Sequence, residues 1–235
     1  MISKLPRWVL WGALMLAFIA GMINAVGFLG FQHQGITHLT GTTTLLGIAL
    51  AHGSAQDSLH LLAVIGSFLA GATLSGFIIQ NSALKLGRRY SVALFIESGL
   101  LFVAVPLLRR HNAMGDYLAS CACGLQNAMV STYSGAVLRT THVSGVFTDL
   151  GIFFGHLLRR LPVDWRRFRI WSALPVAFLA GGAAGAGLFL RFSYDTLYLP
   201  AALTAFVGLA YGIYYRKYAK TAAPQHAQTK TLVSN

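Results

Sequence analysis

His38 and His142 open two copies of one segment. Thr37 to His52 reads THLTGTTTLLGIALAH and Thr141 to His156 reads THVSGVFTDLGIFFGH, so eight of sixteen positions agree at an offset of 104. Each copy starts with hydroxyls: Thr37, Thr40, Thr42, Thr43 and Thr44 in the first, Thr140, Thr141, Ser144 and Thr148 in the second. Imidazole can bind a ligand, carry a proton or hold a metal near neutral pH. Ser and Thr oxygens can cap the amides that open a helix. Those amides, at the positive end of the helix dipole, can instead hold an anionic or polar ligand. The competing reading is structural, because Ser and Thr commonly cap and cross-link membrane helices.

Further groups extend this constellation. Glu97, Arg139 and Asp149 stand in or beside apolar stretches, and an ionisable side chain at membrane depth is costly and marks either an ion pair or a pathway. An Arg139–Asp149 pair would be structural. Alternatively Arg139 faces an anionic substrate while Glu97 or Asp149 takes up protons. Asn24 and Asn127, with Gln126, add neutral hydrogen-bonding groups, or tie each break to its helix. The candidate substrate-binding set is therefore Asn24, Thr37, His38, Thr40, Asn127, Arg139, Thr141, His142 and Ser144; the candidate proton-coupling residues are Glu97 and Asp149. His52 and His156 fall at the far helix ends and read as surface positions. No metal-type spacing is present, and no GxSxG, HExxH or Walker loop, so no catalytic residue, metal or cofactor is expected. Cys121 and Cys123 diverge on a helix and read as small packing residues.

What positions these groups is a set of apolar helices. The chain is 55% hydrophobic and 10% charged, with a mean hydropathy of +0.61, against about 25% charged in a soluble domain. Trp8 to Gln32 and Leu59 to Asn81 carry no charge and exceed the roughly 20 residues that cross a bilayer. Residues 1–7 are too short, and the run after them too long, for a cleaved signal peptide. Helices are expected at about 8–31, 38–53, 59–80, 90–108, 114–132, 142–158, 169–190 and 197–215, with breaks at 32–37 and 133–141. From Arg216 the chain turns basic and polar and reads as a disordered cytoplasmic tail, 216–235. The net charge of +12 fits topology rather than nucleic-acid binding, since no soluble basic face is present.

The duplication runs beyond the opening segment. Gly21, Asn24 and Ala25 match Gly124, Asn127 and Ala128, and Phe68 to Gly71 recurs as Phe178 to Gly181. One transmembrane domain, 1–215, thus holds repeats at about 8–110 and 111–215. Sixteen-residue helices span about 24 Å, short of the roughly 30 Å core. If both Thr-His segments cross, 13 basic residues fall on the N-terminal side and 5 opposite; if neither does, the split is 15 to 3. The positive-inside rule favours the latter. The expected fold is all-α and polytopic: six spans plus two short re-entrant or broken helices, in two inverted three-span repeats, with both termini cytoplasmic.

AGMINAVGFLGFQHQGITHLTG and GLQNAMVSTYSGAVLRTTHVSGVFTDLG resemble the two signature blocks of the YoaK-like family, bacterial inner-membrane proteins with a domain of unknown function. The resemblance covers roughly residues 10–215. It implies six spans and a small-molecule transporter or flippase. This chain departs where the family often has Asp-Ala in place of Asn24-Ala25 and Thr-Gly-Asn in place of Thr40-Gly41-Thr42, so proton coupling by that Asp would here fall to Glu97 or Asp149. The leading expectation is a secondary carrier of a small molecule, anions favoured, in the bacterial inner membrane. Its partners are the lipid bilayer, an unidentified substrate and, in some settings, further copies of itself as a homo-oligomer; nucleic acid is not among them. Two alternatives stand: a membrane-embedded enzyme or redox protein using the two histidines, and a non-transporting sensor or assembly partner. Single cysteines at Lys85, Arg109 and Arg191 test the span count. Position 85 is expected to be shielded from an external thiol reagent and 109 and 191 to react; labelling at 85 from outside overturns six spans.

Overall fold

The computed structural model describes residues 7–30, 33, 35–79, 88–134 and 140–231, and every regular element among them is helical. The order is α1 (Arg7–Leu29), α2 (Leu39–Ala51), α3 (Ala55–Ile78), α4 (Arg89–Arg109), α5 (Met114–Ser134), α6 (Val143–Leu158), α7 (Trp165–Phe192), a 3-10 turn (Ser193–Leu197) and α8 (Tyr198–Thr231). Ser54 accepts the Asp57 N–H and opens α3; Asp164 accepts the Arg166 and Arg167 N–H groups and opens α7. Both are ordinary N-caps. Helix α8 runs on through 216–231, the segment read from sequence as a disordered tail; its Ala and Gln content suits a helix.

Four stretches are long and apolar enough to cross a membrane: Val9–Leu29, Ala55–Ile78, Arg89–Arg109 and Trp165–Lys217. The outside of the bundle is correspondingly greasy. Phe77, Leu190 and Trp11 are 81%, 82% and 73% exposed, which a soluble surface would not sustain over so many helices. The polar groups go inward instead: Glu97, Ser120, Gln126 and Thr204 are all buried. Helix α5 is absent from the four because it carries Asp116, Ser120, Gln126 and Asn127. It can afford them because α1, α3 and α4 surround it.

Close helix pairs form where glycine lets backbones meet. Gly21 of α1 lies on the Phe178 carbonyl of α7, and Gly181 of α7 lies on the Phe18 carbonyl of α1. Gly124 of α5 lies on the Phe68 carbonyl of α3, and Gly71 of α3 on the Cys121 carbonyl of α5. These are the same contacts twice, since Gly21 matches Gly124, Phe18 matches Cys121, and Phe68 and Gly71 match Phe178 and Gly181. The pairing is exchanged: the first helix of each half packs on the third helix of the other. This is the membrane form of close packing through small residues.

Helix directions follow from the contacts. Ser120 donates to the Val64 carbonyl (2.9 Å) and His60 meets Tyr117 OH (3.1 Å), so α3 and α5 run parallel. Helices α1 and α7 are parallel too, with Leu10 beside Ile170 at one end and Gly30 beside Tyr194 just past the other. Gln126 donates to the Leu16 carbonyl (3.0 Å), and the opening turns of α1, from Val9 to Leu16, share a cavity with Met129, Val130 and Tyr133 from the end of α5, so α1 and α5 are antiparallel. Ser91 donates to the Gly208 carbonyl and Ser98 to the Ala201 carbonyl, so α4 and α8 are antiparallel.

Gly71→Ala would drive a methyl into the Cys121 carbonyl and is expected to destabilise by about 1–3 kcal/mol. Gly76→Ala, on the same helix with open space around it, is expected to be neutral or mildly stabilising. Thermal unfolding of the two variants in detergent separates them; equal midpoints would remove the glycine contact as the basis of the α3–α5 pair.

Candidate polar site at the broken helices

Each short helix starts part-way along its longer neighbours, with Thr37 and Thr141 buried there and His38, Thr40, His142 and Ser144 exposed. The Thr37 N–H donates to Asn24 Oδ1 (3.2 Å), and Asn24 lies five residues short of the end of α1, about 7.5 Å back along its axis. The chain therefore doubles back before α2 begins. The second half repeats the device with different atoms: Gln126 Nε2 donates to Thr140 Oγ1 (3.2 Å), eight residues short of the end of α5. Helix α2 has 13 residues and α6 has 16, about 20 and 24 Å. They start deep and run outward. Backbone of this kind survives at depth only when protein groups or a cavity satisfy it.

Histidine forms both helix starts. His38 is the N-cap of α2, and its Nδ1 accepts the Gly41 N–H (3.2 Å). That bond leaves the proton of a neutral ring on Nε2. His142 is the N-cap of α6 but makes no side-chain cap bond to it. A Cβ at Gly41 or Gly145 would meet the imidazole of His38 or His142, so the shared glycine three residues after each histidine leaves room for the ring. The Thr-His-x-(Thr/Ser)-Gly pattern is a helix-starting unit before it is anything else.

The two starts converge. Thr37, His38, Thr40, Thr141, His142 and Ser144 line one cavity of about 320 Å³ with Asn127, Ser131 and Phe68. A second cavity of about 920 Å³ shares Thr37, His38 and Thr141 and adds Asn24, with Phe28, Phe147, Leu150, Pro175, Phe178 and Leu179 among its walls. The first lies against α3 and α5, the second against α1 and α7, so equivalent helices frame both: Asn127 and Phe68 in one, Asn24 and Phe178 in the other. Within the first cavity, Thr37 is 4% exposed and its Oγ1 has no hydrogen-bond partner; Asn127 Oδ1 has none either. Two helix N-termini, the positive ends of their dipoles, meet there beside an unpartnered hydroxyl and an unpartnered amide oxygen, which makes the spot polar.

Eight of the nine residues singled out as substrate-binding therefore lie on these two cavities. Arg139 falls outside the described residues. Glu97 and Asp149 line neither cavity. Glu97 is wholly buried, with both carboxyl oxygens unpartnered; Asp149 is half-buried on α6. Ser131 was not foreseen, although it stands one turn after Asn127 on the same face of α5. Phe68 was noticed only as part of the repeat. His52 and His156 are exposed, as expected.

Comparison with known proteins gives one match: the family described as Protein of unknown function (DUF1275) covers residues 12–210. No curated protein and no solved structure matches.

His38→Ala removes the acceptor for the Gly41 N–H and is expected to cost about 1 kcal/mol, with His38→Asn restoring most of it. Hydrogen exchange over residues 39–42 reads the cap directly. His142→Ala is expected to change exchange over residues 143–146 less; equal effects at both positions would contradict the unequal caps.

Proposed function

We propose that this chain, which belongs to the DUF1275 family, is a secondary carrier or flippase-like protein that moves a small, preferably anionic, molecule across a bacterial inner membrane. The observation that carries this is the convergence of two deep helix N-termini on one cavity. Half-helices whose positive ends point at a site near the midplane are a recurrent way for transporters to hold an anionic group. Thr37, His38, Thr40, Asn127, Thr141, His142 and Ser144 would contact the substrate, with Asn24 holding the first break in place.

The six-span, inverted reading draws support from helix directions. Were α2 and α6 to cross, α1 and α5 would run parallel; they run antiparallel, as do α4 and α8. Splitting Trp165–Lys217 at Ser193, where φ is 51°, and adding the polar α5 turns four apolar stretches into six helices. Unsplit, 53 residues would reach about 80 Å, far beyond one crossing. On this reading both termini are cytoplasmic, and two equivalent cavities meeting at Thr37, His38 and Thr141 suit alternating access by rocking of one half on the other. The narrower YoaK-like resemblance fits the same picture. Glu97 is the favoured proton carrier, acting from the α4–α8 interface rather than from the cavity, and Arg139 is the favoured added charge.

The test begins with a thermal-shift screen of small anions against purified protein. A stabilising anion, isotope-labelled, is then offered to proteoliposomes. Accumulation is expected with the native chain, and a fall to the rate of empty vesicles with His38→Ala combined with His142→Ala. Unchanged uptake by the double variant overturns the site.

A further inference from the structure

A third, separate cavity carries charge. The groove between the first turns of α1 and α7 encloses about 480 Å³ and is lined by Arg166 and Arg169 together with Leu10, Leu14, Ile170 and Leu174. Its residues come only from α1 and α7, and it shares none with either cavity at the broken helices. Arg166 and Arg169 are three apart and so share a helix face. Below them the lining is apolar for about one turn, from Ile170 to Leu174 on one wall and from Leu10 to Leu14 on the other. Trp11, 73% exposed, stands at the rim.

The surrounding charge is one-sided. Arg159 to Arg169 holds five arginines and a single acid, Asp164. That carboxylate is already used: it caps the N–H groups of Arg166 and Arg167 and pairs with the Arg167 side chain at 3.4 Å. Among the described residues, no acidic side chain lines the groove. Arginine guanidinium matches phosphate oxygens in a two-pronged geometry, and the N-terminus of α7 adds a positive dipole end close by. A cationic mouth over an apolar floor, on helices that carry a greasy outer surface, is complementary to one kind of molecule: a phosphate with a hydrocarbon chain attached.

The geometry points to a resident anionic phospholipid in this groove, its phosphate held by Arg166 and Arg169 and an acyl chain lying along Leu10, Leu14, Ile170 and Leu174. General attraction of basic loops to an anionic leaflet would not single out this pair. Arg159 and Arg160 are equally basic but line no part of the groove, which makes them the internal control. The site would clamp the first turns of α1 and α7 together.

Native mass spectrometry of the full-length protein, titrated with phosphatidylglycerol or phosphatidylcholine, tests this. The native chain is expected to retain phosphatidylglycerol preferentially. Arg166→Gln with Arg169→Gln is expected to bind it about 25-fold more weakly, taking roughly fivefold per basic residue. Arg159→Gln with Arg160→Gln is expected to bind as the native chain does. Ala173→Phe fills the floor while sparing both arginines, and is expected to lose phosphatidylglycerol as well; it covers the case in which the double arginine variant fails to fold. Equal retention of the two lipids by the native chain, equal losses from the two arginine pairs, or full protection of the native chain by inorganic phosphate alone would each overturn the lipid assignment.

Discussion

The structure depends on one constraint: no backbone N–H or C=O can stay unsatisfied in the interior of a membrane. Two helices that begin midway through the bundle break this rule by construction, and a few side chains restore it. Asn24 takes the Thr37 amide, His38 takes the Gly41 amide, and Gln126 joins the second break to both α5 and α1 through Thr140 and the Leu16 carbonyl. What these ties leave over, Thr37 Oγ1 and Asn127 Oδ1 among it, faces the cavity. The polar site is the remainder of a structural problem that the fold has mostly solved.

That view puts the two histidines in order. Each is first a helix cap with glycine cleared beneath it, and only the ring edge turned away from the helix is available to a ligand. The two copies differ in a way identical residues conceal. The first ring is committed through Nδ1, whereas the second makes no cap bond.

Much of this was legible in the sequence. The repeated residues and the helix positions follow from hydropathy and identity at a fixed offset. Pairing between helices was not legible. Gly21, Phe68, Gly124 and Phe178 were visible as repeated residues, but nothing in one dimension says that each meets the other half. Where the acidic residues stand relative to the cavities was not legible for a related reason. Glu97 is polar and central by position, yet which way a helix faces depends on its neighbours, and α4 turns Glu97 toward α8. The shared glycines Gly41 and Gly145 were seen as identities without a role, because the role requires knowing that an imidazole folds over them.

The exchanged pairing has a consequence for how the molecule is made. The glycine face of α1 fits α7, and α7 begins at Trp165, 136 residues after α1 ends at Leu29. At about 5–20 residues per second, that face waits about 7–27 s before its partner has begun to emerge from the ribosome. The gap from α3 to α5 is 36 residues, about 2–7 s at the same rate. The chain must therefore close its inner pair first and keep its opening helix unpartnered meanwhile. During that interval a second nascent copy could offer α1 the same glycine contact, so intermolecular exchange is the characteristic assembly error of this architecture.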